Sequence, residues 1–229
     1  MIVAIPQLLP PDLVAAINRE MDQAAFADGM QTAGQYIEGI KRNEEMPGGT
    51  GTFTRMNEAV QAVLRQNNDF QLLTIPKVVA ACLFSRYRPG MFYGDHADNA
   101  LMGRDSPVKT RSDMSITMFL SDPATYDGGE LVLDTDTSPR AFKLKPGDAV
   151  LYPTYSLHRV EAVRRGERRA AVTWIQSMVR MPAQRQVLVD LALVLDWMLK
   201  TLPGKPHEHV EFRRLQKVRS NLERMWAEP

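Results

Sequence analysis

Cysteine is almost missing: of 229 residues only Cys82 carries a thiol, so no internal disulfide and no thiolate-rich zinc site can form. That suits a reducing cytosol. Histidine is scarce as well, four in the whole chain, so metal chemistry has to combine imidazole with carboxylate. Neither sign of charge dominates. With Lys+Arg at 28 and Asp+Glu at 27, the formal net charge of +1 provides no general field for nucleic acid or an anionic membrane surface, and a charged ligand must be held locally. Nor is there a long hydrophobic run: nothing approaches the about 18 consecutive apolar residues of a membrane-spanning helix. The opening residues lack a basic region, and Pro6, Pro10 and Pro11 interrupt them. The expectation is a cytoplasmic protein with no nucleic-acid or membrane partner. What is present, 44% hydrophobic and 24% charged residues, is the composition of a globular domain and excludes a disordered chain.

The first third reads as helical. Leu13, Ile17 and Met21 recur at four-residue spacing after Pro11-Asp12, predicting a helix to about Ala25. Met56, Val60 and Val63/Leu64 predict a second over Arg55 to Gln66, behind a loop marked by Gly48, Gly49 and Gly51. Between them, Gly39 to Asn43 fits neither pattern. From Pro76 to about Gln176 the character changes to short β-branched and aromatic runs, predicting strands at Val78–Tyr87, Met114–Leu120, Glu130–Leu133, Ala141–Leu144, Ala149–Tyr152 and Arg168–Val179. Asp127-Gly128-Gly129 and Lys145-Pro146-Gly147-Asp148 supply the turns. So many short strands close most simply into a barrel or two-sheet sandwich. After Met181-Pro182, stripes at Leu188, Leu191, Leu195, Met198 and at Phe212, Leu215, Val218, Leu222, Met225 predict a helical hairpin broken at Pro203 to Pro206. It would pack on the β domain or on a second subunit.

His96 and Asp98 lie two residues apart in Tyr93-Gly94-Asp95-His96-Ala97-Asp98. On extended backbone such residues point to one side, so an imidazole and a carboxylate can face one ion. His158 is the third ligand to consider, carried on or after the strand launched by the Lys145–Asp148 turn. Two His and one carboxylate make the facial triad of non-haem Fe(II), which leaves positions open for substrate and oxygen. The plainer alternative for His158 is a strand histidine with a satisfied hydrogen bond. Further on, Arg168 and Arg169 must point to opposite sheet faces, so one of them can reach such a site. A guanidinium in an apolar strand needs an anion, and its planar fork matches a carboxylate. His207 and His209 open a helix, where positions two apart diverge by about 200°; they read as surface residues. Cys82 reads as a small core residue.

Taken in order, Phe84-Ser-Arg-Tyr87, Tyr93-Gly-Asp-His96-Ala-Asp98, Arg111 to Pro123, Tyr126-Asp-Gly-Gly-Glu-Leu131, Gly147 to Pro153, Ser156-Leu-His158 and Trp174-Ile-Gln-Ser-Met178 resemble the Fe(II)- and 2-oxoglutarate-dependent oxygenases of the prolyl 4-hydroxylase type. More narrowly, the chain is similar to the bacterial PKHD-type hydroxylases, some of which are named iron-uptake factors. The resemblance implies an α+β fold with a double-stranded β-helix, or jelly roll, flanked by N-terminal helices and a C-terminal helical hairpin. It implies an oxygenase domain over residues 1–181 with its β core at about 76–180, and a helical extension over 182–229. It implies that His96, Asp98 and His158 ligate Fe(II), that Arg168 pairs with the distal carboxylate of 2-oxoglutarate, and that Tyr87 and Trp174 line the pocket. Core packing is the plainer account of those two aromatics. O2 is the second cosubstrate and L-ascorbate a candidate cofactor. The implied reaction hydroxylates a prolyl- or lysyl-like peptide or a small molecule, with succinate and CO2 as co-products. The chain departs from the family pattern at Glu45, which stands where a glutamine is expected after the matching Lys41 and Asn43.

Two other functions fit parts of the pattern. A zinc hydrolase also uses two His and a carboxylate, but it has no use for Arg168, and His-Glu-x-x-His does not occur in the chain. A non-catalytic module sensing iron or 2-oxoglutarate would keep all four residues. Asn99 to Arg111, directly after the metal pair, is a candidate lid or substrate reader, and the C-terminal stripes permit a homodimer.

Overall fold

The computed structural model describes residues 1–32, 39–103 and 107–228. Arg104 to Ser106, the middle of the candidate lid, lie outside the described residues. Two antiparallel sheets face each other. The larger, 8-stranded, runs in the order Val3–Ile5, Ala149–Pro153, Met114–Phe119, Arg168–Ser177, Leu83–Tyr87, Glu44–Glu45 and Ala27–Asp28, with Pro76–Val79 also paired to Arg168–Ser177. The smaller, 5-stranded, runs Arg140–Phe142, Leu131–Leu133, His158–Val160, Phe92–His96 and Lys41–Arg42. This is the two-sheet arrangement expected from the strand pattern and the jelly roll that the family resemblance implied.

Strand Met114–Phe119 shows why the layers form. All its residues are buried, and the period of two sorts them: Met114, Ile116 and Met118 enter the main apolar cluster, while Ser115, Thr117 and Phe119 take the opposite face. Into the main cluster pack Val14, Ile17 and Met21 of helix Pro11–Gln23, Met56, Val60 and Leu64 of helix Gly51–Gln66, and Phe70 of helix Asn68–Thr74. The helices therefore shield the outer face of the larger sheet. Its inner face, which carries Ser115 and Thr117 beside larger aromatic and charged side chains, is left to the space between the sheets.

Local chemistry sets the element ends. Thr50 caps helix Gly51–Gln66, its hydroxyl accepting from the Phe53 amide at 3.1 Å. Asn67 caps the unexpected seven-residue helix Asn68–Thr74 in the same way at 2.8 Å. The predicted strand Val78–Tyr87 is split in two, because helix Gly51–Gln66 reaches into it: Gln61 donates to the Ala80 carbonyl at 2.7 Å and Asn57 accepts from the Cys82 amide at 2.9 Å. Cys82 is a buried core residue, as expected, and burial pushes its thiol up to about 12. Gly39 to Asn43, which fitted neither pattern, enters strand Lys41–Arg42 of the smaller sheet, and the chain crosses at Asn43 to strand Glu44–Glu45 of the larger.

Helices Pro182–Thr201 and Val210–Trp226 form the C-terminal hairpin, with Leu195, Met198 and Phe212 at their contact. The second stripe is narrower than expected. Val218 and Met225 are exposed, because their spacing carries them to the edge of the face that Phe212 buries. Among the described residues no helix is long and apolar enough to cross a membrane.

Candidate active site

Between the sheets lies a cavity of about 990 Å³. The smaller sheet brings His96 and His158 opposite each other, as direct partners across strands Phe92–His96 and His158–Val160. Asp98 follows one turn of extended chain beyond His96, and one ligand atom from each of the three lies within 4.8 Å of the others. Asp98 Oδ1 is 3.8 Å from His96 Nε2 and 3.8 Å from His158 Nε2.

The imidazoles are oriented from behind. His96 Nδ1 donates to the Gly94 carbonyl at 2.8 Å and His158 Nδ1 to the Ser156 carbonyl at 2.9 Å. A carbonyl can only accept, so each Nδ1 carries a proton and each Nε2 is the ring nitrogen turned toward Asp98. Burial, and then the neighbouring His158, push His96 down to about 4, which keeps its ring neutral near pH 7. The carboxylate is fixed as well, Asp98 Oδ2 accepting from Ser115 Oγ at 2.6 Å. Tyr93 stacks on His96, with centroids 3.5 Å apart and planes at 7°. Two oriented imidazoles and one held carboxylate, open to a large cavity, form a donor set able to hold Fe(II) on one face.

The larger sheet supplies the cation. Arg168, Val172 and Trp174 line the cavity from one face of strand Arg168–Ser177. Arg169 projects from the other face to Glu167 and Asp22, both at 2.6 Å. The parity argument holds, and Arg169 is half-buried and ion-paired on the opposite face. Arg168 is only 2% exposed, has no carboxylate within ion-pair distance among the described residues, and its Nε has no hydrogen-bond partner. The rings of Tyr87 and Phe119 lie 5.1 and 5.7 Å from its guanidinium carbon. Gly129 makes room for it, since a Cβ there would come within 3.0 Å of Arg168 Cδ. Such a guanidinium fits the far carboxylate of a dicarboxylate that reaches the triad with its other end.

Tyr87 and Trp174 both line the cavity. Burial pushes the Tyr87 hydroxyl up to about 12 against the opposing pull of Arg168. Trp174 Nε1 is buried without an acceptor among the described residues. His207 and His209 lie outside the cavity, His207 exposed and His209 bonded to the Pro203 carbonyl at 2.8 Å.

Sequence reasoning missed Tyr93, Ser115, Thr117 and Tyr152, which also surround the site. The Ser115-Ile116-Thr117 alternation within an otherwise apolar strand was the available signal. It also left Glu45 without a role. Lys41 Nζ and Glu45 Oε1 form a buried pair at 2.5 Å in the cavity wall, joined by Asn43 Nδ2 at 3.3 Å.

Residues 82–176 match the family model of the 2OG-Fe(II) oxygenase superfamily. The chain is 41% identical over 228 residues to PKHD-type hydroxylases from Thermosynechococcus vestitus and from a Picosynechococcus strain, with 100% of each chain covered. Among solved structures, a Pseudomonas putida prolyl-4-hydroxylase aligns with TM-score 0.54 at 23% identity, over 77% of this chain and 92% of that one. A Trichoplax adhaerens prolyl hydroxylase aligns with TM-score 0.55 at 14% identity, over 82% and 86%. Fold and family model together define an iron oxygenase that uses Fe(II), 2-oxoglutarate and O2. Within that class, the chain belongs to the PKHD-type hydroxylases and is a 2-oxoglutarate-dependent dioxygenase.

Proposed function

We propose that His96, Asp98 and His158 hold Fe(II), that Arg168 binds the distal carboxylate of 2-oxoglutarate, and that the enzyme hydroxylates a C–H bond of a prolyl- or lysyl-like peptide or a small molecule, releasing succinate and CO2. The observation that carries this reading is a buried arginine, without an acidic partner among the described residues, in the cavity that also holds the three converging ligand atoms. Bound iron with its cosubstrates supplies the oxidising chemistry. The protein's own residues do the positioning. The Gly94 and Ser156 carbonyls fix the two imidazoles, Ser115 fixes the carboxylate, and Arg168 orients the cosubstrate by charge. Tyr87 and Phe119, packed around the guanidinium, keep water from its apolar sides.

A peptidyl substrate is supported by the size of the cavity and by the fold shared with the Trichoplax enzyme, whose structure holds a peptide fragment of hypoxia inducible factor. A mass-spectrometric screen of cell extract tests the reading. A gain of one oxygen that depends on Fe(II) and 2-oxoglutarate, and disappears with Asp98→Ala, is expected. Succinate formation that persists in Asp98→Ala would remove the assigned triad.

A further inference from the structure

The cosubstrate site proposed above has one end on each sheet. His96 and His158 stand on the smaller sheet and Arg168 on the larger, so a dicarboxylate that touches both ends must match the gap between the sheets. Polar ties across that gap hold its width. One is central: Ser115 Oγ, on the larger sheet, donates at 2.6 Å to Asp98 Oδ2, just beyond strand Phe92–His96.

Another tie lies at the edge. Strand Lys41–Arg42 is the last of the smaller sheet, strand Glu44–Glu45 is the last but one of the larger, and Asn43 alone separates them in the chain. Lys41 Nζ reaches across this step to Glu45 Oε1 at 2.5 Å, and Asn43 Nδ2 donates to the same oxygen at 3.3 Å. All three side chains are buried and line the cavity.

Each end of this tie bears on one end of the cosubstrate site. Lys41 is the direct cross-strand partner of Tyr93, its Nζ is 5.2 Å from the ring centroid, and that ring stacks on His96. On the larger sheet, Asn43 neighbours Tyr87: burial raises the Tyr87 hydroxyl, and Arg168 and the nearby Asn43 side chain oppose the rise. Tyr87 is in turn the cross-strand partner of Arg168, its ring centroid 5.1 Å from the guanidinium carbon. Stability does not explain the pair. Desolvation offsets most of what a buried ion pair gains, so well-packed apolar side chains of similar volume would serve the fold as well or better. An apolar contact slides, whereas a charge-assisted bond has a set length.

We propose that the Lys41–Glu45 pair, braced by Asn43, is a specificity-determining spacer: it fixes the distance between the sheets at the cavity edge, and so selects the length of the 2-oxo dicarboxylate that reaches from the metal ligands to Arg168. This rests on the reading of those residues as the cosubstrate site.

The test compares 2-oxoglutarate with 2-oxoadipate, one methylene longer, by anaerobic titration into the Fe(II)-loaded full chain, read by the absorbance band that the bound 2-oxo acid produces. In a pocket of fixed length one methylene is worth about 10–200-fold, and the unaltered chain should bind 2-oxoadipate more weakly by a factor in that range. Lys41→Met/Glu45→Met removes the tie without leaving a buried unpaired charge, and a thermal melt checks that it folds. In that variant the ratio of the two affinities should shrink at least about fivefold. A merely structural role would weaken both acids alike, and an unchanged ratio overturns the spacer. Glu45→Gln keeps an acceptor for Lys41 and should hold the ratio within about twofold of the unaltered one. A ratio as relaxed as in the double variant would overturn the spacer too. If the unaltered chain binds Fe(II) but neither acid produces the band, the cosubstrate reading itself falls, and the spacer with it.

Discussion

Replacing Arg168 with methionine should move stability and cosubstrate binding in opposite directions. The guanidinium is 2% exposed, its Nε is unpartnered, and no carboxylate pairs with it among the described residues. A buried ion without a partner carries an effective desolvation cost of several kcal/mol. Two aromatic faces, at 5.1 and 5.7 Å, return about 1–2 kcal/mol. Methionine fills most of the volume and needs no counter-ion, so the ligand-free variant should be more stable by about 1–3 kcal/mol. In a chain of this size each kcal/mol moves the melting midpoint by about 2–4 °C.

With 2-oxoglutarate the order reverses. At a concentration about 100 times Kd, the cosubstrate stabilises the unaltered protein by about 2.7 kcal/mol. Losing a buried charge-assisted contact costs about 2–5 kcal/mol, so the variant's affinity should fall by a factor between about 30 and about 4,000. Thermal melts under anaerobic Fe(II), with and without 2-oxoglutarate, read both effects. A variant that melts below the unaltered protein without ligand, and still gains the full increment with it, would refute the reasoning, because Arg168 would then have a partner of its own.

Ser115→Ala removes the 2.6 Å bond to Asp98, and by loosening the carboxylate should weaken Fe(II) binding by about 10–100-fold in an anaerobic titration. An unchanged affinity would mean that Asp98 is held by something else. Lys41→Met leaves Glu45 buried beside a missing charge and should cost about 3–5 kcal/mol in urea unfolding, while Lys41→Met/Glu45→Met should recover most of that. A double variant as unstable as the single would show that the pair matters for shape and not for charge. His96, held at about 4 in the folded state against an ordinary 6.5, takes up its proton later than it does in the unfolded chain. Metal-free protein should therefore lose stability as pH falls from about 6.5 to about 4, by up to about 1.4 kcal/mol per pH unit from this group. His96→Gln should flatten that part of the profile, and a profile that is the same with and without His96 would reject its assignment.

The parts of the molecule that were legible in the sequence are those whose signal is periodic or local. Ile17 and Met21, or Met56 and Val60, announce a helix face because burial repeats every 3.6 residues. Arg168 and Arg169 could be sent to opposite faces because a strand alternates. What stayed hidden depends on partners far along the chain. The break after Val79 is made by Asn57 and Gln61 from another helix. Strands Lys41–Arg42 and Glu44–Glu45 are too short to carry a period, and the four-residue spacing of Lys41 and Glu45 suggests a helical pair although it bridges two sheets. Tyr93 could be placed near His96 by spacing, but its stacking follows from the position of a strand end.

Near-neutral charge takes on a different meaning once the arginines are followed to their partners. Arg86, Arg88, Arg111, Arg159, Arg165 and Arg169 each lie within 4.0 Å of a carboxylate, at surfaces where such pairing is cheap to make and cheap to lose. Both buried arginines among the described residues, Arg168 and Arg185, have no such partner, a property they share with exposed arginines such as Arg65 and Arg140. Burial is where an unpaired charge costs most, so the pairing runs opposite to what stability alone would favour. Each faces a cavity, and the two cavities meet at Asp98. The simplest physical account of Arg168 is that its charge is compensated by a molecule from outside the chain, the cosubstrate of the proposed function. It follows that Arg168→Met should abolish most of the stabilisation given by 2-oxoglutarate in the thermal melt.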